Sequence, residues 1–289
     1  MGAADLVPGV SGGTMALILG IYPRLIVALG SLTRAAPWRA LLGGRPREAW
    51  RAVDGAFLAS LAVGIAVAVA GLARALHAVL AAWPVGVYAV FFGLIAASAW
   101  IVVRRIRGRR RVALAFAVAG AVAAFVLVGA TPAVTPDTGV VLAASGALAV
   151  SALLLPGVSG AFVLVLLGKY ETVLAALSRL DVSVLAPLAA GMAVGLLAFS
   201  RLLAAAMQRW PTPVLGTLAG FLLGSLRKVW PWQRLGGELS VAILPPGPSD
   251  AAVAAVLALA AAVVVVLLDR VASDDRPSVR TPRAGRDAA

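Results

Sequence analysis

Stretches of about twenty apolar residues recur along this chain, and at 1.5 Å of rise per residue each can cross the ~30 Å hydrocarbon core of a bilayer as a helix. In 55–82, "GAFLASLAVGIAVAVAGLARALHAVLAA", the polar side chains are too few and too scattered to make the wet face of a soluble helix. A soluble all-α domain would carry roughly a quarter of its residues as charges, whereas here 62% are hydrophobic and 13% charged. The chain therefore reads as an all-α polytopic membrane protein. Apolar length and Pro/Gly punctuation predict helices at about 11–30, 55–82, 84–103, 112–130, 139–155, 160–178, 183–208, 213–229 and 251–268. Residues 1–271 read as one transmembrane domain, and 272–289, polar and rich in Arg and Pro, as a disordered cytoplasmic tail.

The formal net charge of +13, from 25 Lys and Arg against 12 Asp and Glu, is concentrated in loops. Arg34, Arg39, Arg45, Arg47 and Arg51 lie in one, and Arg104, Arg105, Arg107, Arg109, Arg110 and Arg111 in another. Such loops stay in the cytoplasm and face anionic headgroups, which predicts a multi-pass plasma-membrane protein with anionic lipids as neighbours. No basic surface interleaved with aromatic residues points to nucleic acid. The chain has no cysteine, hence no disulfide, thiolate or Cys metal site, and its pattern calls for no metal and no cofactor.

The chain also repeats itself. "LVPGVSGG" (6–13) returns as "LLPGVSGA" (154–161), and 6–29 aligns without gaps on 154–177. Further on, Gly64, Arg74, Trp83, Pro84, Gly93 and Ser98 fall on Gly191, Arg201, Trp210, Pro211, Gly220 and Ser225. Repeat one spans 1–130 and repeat two 139–271. With both Arg-rich loops inside, 55–82 runs outward and 183–208 inward, so equivalent helices run in opposite directions. The predicted architecture is two inverted-topology repeats with broken or re-entrant helices at the PGVSG motifs, as in many secondary transporters. Arg227 and Lys228 fit this badly, because they would lie toward the outside. The apolar stretch 139–155 has no counterpart before the first motif, so a further apolar coding segment is expected upstream of Met1.

Proline cannot continue a preceding helix, and glycine permits a tight, closely approached backbone. Ser11 and Thr14 then stand where a new helix begins, with unpaired N–H groups that favour an anion such as phosphate. Irregular backbone in a membrane must be buried in protein or line a cavity. Arg74 and Arg201 lie inside apolar helices, each nine residues before a Trp-Pro pair, where a charge costs at least ~2.5–3.5 kcal/mol. The acids available to answer them (Asp5, Asp54, Asp137, Glu171, Asp181) lie near segment ends, so an anionic ligand is the expected partner; the alternative is that both arginines snorkel to the interface. "GVSGG" also matches a serine-nucleophile pattern, but the single histidine, His77, cannot serve two such serines.

"MGAADLVPGVSGGTMALILGIY", "PGVSGAFVLVLLGKYETVL" and "GFLLGSLRKVWPW" resemble the bacterial polyprenyl-phosphate translocase family over roughly residues 1–270. The resemblance implies a non-enzymatic flippase that moves undecaprenyl phosphate from the outer to the inner leaflet of the plasma membrane, recycling the carrier lipid of cell-wall synthesis. The family motif carries over to Pro8, Gly9, Ser11, Gly12, Gly13 and Thr14 and to Pro156, Gly157, Ser159 and Gly160; the Glu that often follows the motif's Tyr is Pro23 in the first copy and Glu171 in the second. With Arg74 and Arg201 these residues are the expected headgroup site, and Glu171 or Asp181 the expected ion-coupling groups. The other function class open at this point is a channel or symporter for a small inorganic ion.

Overall fold

Two short helices separated by a kink follow the first motif: α1 (Gly12–Ile18) and α2 (Tyr22–Ser31). The computed structural model describes residues 1–2, 11–106, 109–130, 133, 135–235, 241–245, 247 and 250–274, so Pro8, Gly9 and residues 275–289 of the expected tail lie outside the described residues. The basic segment after α2, predicted as loop, contains α3 (Ala35–Leu42) and α4 (Pro46–Ala52). Then come the long α5 (Gly55–Ala82), α6 (Pro84–Arg105) and α7 (Arg110–Val128). The second half holds α8 (Gly139–Leu154), α9 (Gly160–Leu166), α10 (Tyr170–Arg179), α11 (Val182–Arg209) and α12 (Pro211–Ser225). A 3-10 turn (Leu226–Val229), an antiparallel hairpin of β1 (Gln233–Leu235) and β2 (Val241–Ile243), and α13 (Ala251–Asp274) complete the described residues.

Five of these helices, α5, α6, α7, α11 and α13, are long and apolar enough to cross a membrane. The bent pair α9–α10, folded by 111° at its break, would make a sixth. The protein is a helical membrane protein.

The break is written into the sequence twice. "LGI" and "LGK" end α1 and α9 with Gly20 and Gly168 at φ +70° and +63°, a left-handed conformation that glycine adopts without a Cβ penalty. Behind each glycine the next N–H reaches back five residues, Ile21 to Ala16 O (2.9 Å) and Lys169 to Leu164 O (2.8 Å), closing the same C-terminal cap in both halves. Sequence reading ran 11–30 and 160–178 as unbroken helices because apolar content alone carries no sign of a left-handed residue.

Small residues decide which long helices touch. A Cβ added at Gly216, Gly220 or Gly224 of α12 would run into the carbonyls of Ala113, Ala117 and Ala121 of α7, so the two backbones lie in direct contact. Such small-residue seams drive association where lipid is as apolar as any side chain. Gly93 of α6 meets Ala258 of α13 in the same way, and Gly191 and Gly195 of α11 meet Ala143 and Ala147 of α8. The helix equivalent to α11 is α5, which has the same length. Among the described residues its Gly64 nevertheless has nothing within 4 Å of an added Cβ. On the loop side, Arg24 forks onto Asp54 (2.6 and 2.9 Å), tying α2 to the start of α5.

Candidate functional site

The described residues of the two motifs, far apart in sequence, come together in one largely buried unit. α8 ends at Leu154, leaving terminal carbonyls that have no intrahelical partner and, in a bilayer, no water. The first motif supplies the partners. Ser11 Oγ donates to Leu153 O (3.4 Å) and Tyr22 Oη to Leu154 O (2.8 Å). In return the Gly157 N–H donates to Thr14 Oγ1 (2.9 Å). Gly157 sits at φ +85°, and an added Cβ would lie 2.8 Å from both Phe221 O and Ser225 Oγ of α12, so the turn admits glycine alone.

Ser11, Gly12, Gly13, Thr14, Pro156, Gly157 and Gly160 are all buried. Ser11 Oγ also accepts from the Gly13 N–H (3.1 Å), an ordinary helix cap, so this hydroxyl is committed on both sides. Gly160 packs its backbone on Ala149 of α8. Ser159 differs: it begins α9 without a side-chain cap bond, is partly exposed, and its hydroxyl has no hydrogen-bond partner among the described residues. The copies are alike in sequence and unlike in use. Ser11→Ala is accordingly expected to cost about 1 kcal/mol of stability through loss of its cap, and Ser159→Ala to leave thermal stability unchanged. Melting curves of both variants in detergent check this, and equal losses would contradict the assignment.

The arginines also part company. Arg201 lines a cavity of about 550 Å³ between the end of α2 and the second half of α11, a cavity that does not include Arg74. Both guanidinium groups are exposed at the protein surface, and neither has a carboxylate partner among the described residues. Of the proposed coupling acids, Glu171 is exposed in the first turn of α10. Asp181 caps α11, accepting from Ser183 N (3.0 Å) and Ser183 Oγ (2.6 Å), and those bonds hold its pKa below that of an ordinary aspartate.

Three cations took no part in the sequence-based site. Lys169, at the α9–α10 bend, is 1% exposed and donates to Asp137 Oδ1 and Thr135 O, both at 2.5 Å, strapping the preceding loop across the break. Arg227 lies 4.4 Å from the Phe125 ring and donates to Phe125 O (3.2 Å). Lys228 is 7% exposed, with Nζ 3.2 Å from the centre of the Phe162 ring of α9. The last two looked like misplaced loop charges; they are packed on aromatic faces.

The family model described as undecaprenyl phosphate translocase-like matches residues 1–240. The chain belongs to this family. A member from Vibrio cholerae serotype O1, named polyprenyl-phosphate transporter, is 38% identical over 240 residues, which cover 81% of this chain and 76% of that one. No solved structure matches the chain. The matched region takes in both PGVSG motifs, the broken helices and α5 through the start of the β-hairpin, so the interlocked turns belong to the family region rather than to an appendage.

Proposed function

We propose that this protein moves undecaprenyl phosphate from the outer to the inner leaflet of the plasma membrane, returning the carrier lipid for reuse, and does so as a transporter rather than an enzyme. Membership of the translocase-like family and the name of the Vibrio cholerae relative support the substrate class. The observation that carries the site is Arg201, a guanidinium on an apolar helix with no acid to answer it among the described residues and a cavity before it. A permanent cation there has its natural partner in a phosphate headgroup, with the isoprenoid tail left in lipid. Ser159, whose hydroxyl is unspent, joins the reading as a second headgroup contact, and Arg74 as the equivalent cation of the other repeat.

Alternating access needs halves of opposite orientation, and the helix directions support that. Contacts between α7 and α12 step by four residues in the same sense along both helices, so the two run parallel. If α7, which follows α6 after a loop of a few residues, turns back across the membrane, then α12 runs opposite to its equivalent α6, as an inverted repeat requires. The serine-hydrolase alternative is disfavoured by Ser11, whose hydroxyl is tied up as a cap.

The test is transport in liposomes. Wild-type protein is expected to expose outer-leaflet polyprenyl phosphate to an enzyme or probe enclosed in the lumen. Arg201→Gln, at equal incorporation, should slow this about ten- to hundredfold, the value of one charge-assisted contact of about 1.5–3 kcal/mol. Rapid movement of inorganic ions with no movement of lipid would instead identify a channel.

A further inference from the structure

The cavity before Arg201 contains a second cation that the reading above did not use. Arg34 follows α2 by three residues and lines the same space, together with Thr33, Gly30, Ala204 and Gln208. The geometry that brings the two arginines together is a close helix crossing: Gly30 lies where an added Cβ would be 3.5 Å from Ala204 Cβ and from Ser200 O. Beyond this crossing α2 ends, and the chain turns into the basic segment, carrying Arg34 across the mouth of the cavity. Neither the Arg34 nor the Arg201 guanidinium forms an ion pair or hydrogen bond among the described residues, although Arg24 and Arg45, on the flanking segments, both find acids. Two uncompensated guanidinium groups facing one cavity repel each other unless an anion lies between them.

We propose that this cavity is a phosphate monoester site, with Arg34 and Arg201 as its paired cations and Gln208 as a neutral hydrogen-bonding group, and that it receives the lipid headgroup on the inner-leaflet side; the Thr33 hydroxyl is already donated to Gly30 O (2.8 Å). Two guanidinium forks supply a doubly charged phosphate with matched charge and parallel N–H donors, which a carboxylate or a neutral headgroup would use less well. The side follows from charge: α2 leads directly into the segment holding Arg34, Arg39, Arg45, Arg47 and Arg51, which is retained in the cytoplasm. Gly30 and Ala204 keep the walls low enough for the headgroup to enter beside the chain. The assignment rests on the transport reading for its ligand's lipid tail; the phosphate chemistry itself does not.

The experiment is equilibrium binding to the purified full chain in detergent, with a water-soluble short-chain prenyl monophosphate, inorganic phosphate and the matching prenyl alcohol as probes, run beside the liposome assay. Arg34→Gln and Arg201→Gln are each expected to weaken prenyl phosphate binding about ten- to hundredfold. Arg34→Lys should recover part of that loss, and Arg39→Gln, a change to a neighbouring exposed arginine outside the cavity, none of it to recover because binding stays at wild type. Ala205→Phe, which fills the cavity and leaves both charges, should block binding as well. Because the Arg34 and Arg201 guanidinium groups are exposed and unbonded among the described residues, melting temperatures should not move, so weakened binding reports the site and not the fold. Wild-type affinity in Arg34→Gln, or equal binding of the alcohol, overturns the site. Tight, arginine-dependent binding of inorganic phosphate at the level of the prenyl phosphate upholds the phosphate site and removes the lipid from it. Normal lipid transport in both variants overturns the site and leaves the transport reading standing.

Discussion

Gly191→Ala is expected to lower the melting temperature of the purified protein by several degrees, while Gly64→Ala, the same change at the equivalent position of the other repeat, leaves it unchanged or raises it slightly. At Gly191 an added methyl meets the carbonyl of Ala143, a backbone atom that cannot swing aside, so α8 and α11 must separate. Overpacking of this kind costs about 1–3 kcal/mol, and in a chain of this size each kcal/mol shifts the midpoint by roughly 2–4 °C. The separation would also pull α8 away from Ser11 and Tyr22, whose bonds close its end. At Gly64 nothing among the described residues lies within 4 Å, and the substitution brings only the better helix propensity of alanine, about 0.5–1 kcal/mol. Thermal melts of both variants, with yield from the membrane fraction as a second readout, decide the matter. Equal destabilisation would mean that α5 carries a partner on that face in the folded protein.

The second large effect is expected at the junction of the motifs. Gly157→Ala should abolish transport. Its φ of +85° costs a non-glycine residue about 1–2 kcal/mol. The new Cβ, 2.8 Å from Phe221 O and Ser225 Oγ, also pushes α12 off the turn. Thr14 tests the other half of the contact. Thr14→Val removes the acceptor of the buried Gly157 N–H with little change of shape, at about 1–3 kcal/mol, whereas Thr14→Ser keeps the acceptor. Liposome transport and melting temperature should therefore fall in Thr14→Val and stay close to wild type in Thr14→Ser. If serine and valine behave alike, the hydroxyl is not what joins the two motifs.

Much of this architecture was legible in the residues because it is local. Apolar length marks the spans, and Pro and Gly mark where they break. The doubling of PGVSG, Trp-Pro and the intrahelical arginine pointed to a duplication; α5 and α11 are equal in length, as are α2 and α10. The break at Gly20 and Gly168 had a local signal too, a glycine before the Tyr-containing helix start, but the apolar run masked it. Without a polar face, helical periodicity has nothing to interrupt.

Partnership across the chain was not legible. Sequence assigned Ser11 and Ser159 one role, since their surroundings read the same; only the fold brings Ser11 onto the open end of α8, more than a hundred residues away, and leaves Ser159 unspent. It treated Arg74 and Arg201 as a pair, yet which arginine faces a cavity depends on whether a neighbouring helix crosses close by, and α2 crosses α11 at Gly30. Lys169 found its acid in a loop, and Arg227 and Lys228 found aromatic rings, by packing that no spacing rule encodes. The sequence by itself determined that the chain would live in a membrane as broken, duplicated helices, because transfer of apolar surface and backbone hydrogen bonding depend on each segment alone. The tertiary structure decided which of two identical motifs does what, because a buried donor or charge is satisfied only by the particular group that the fold sets beside it.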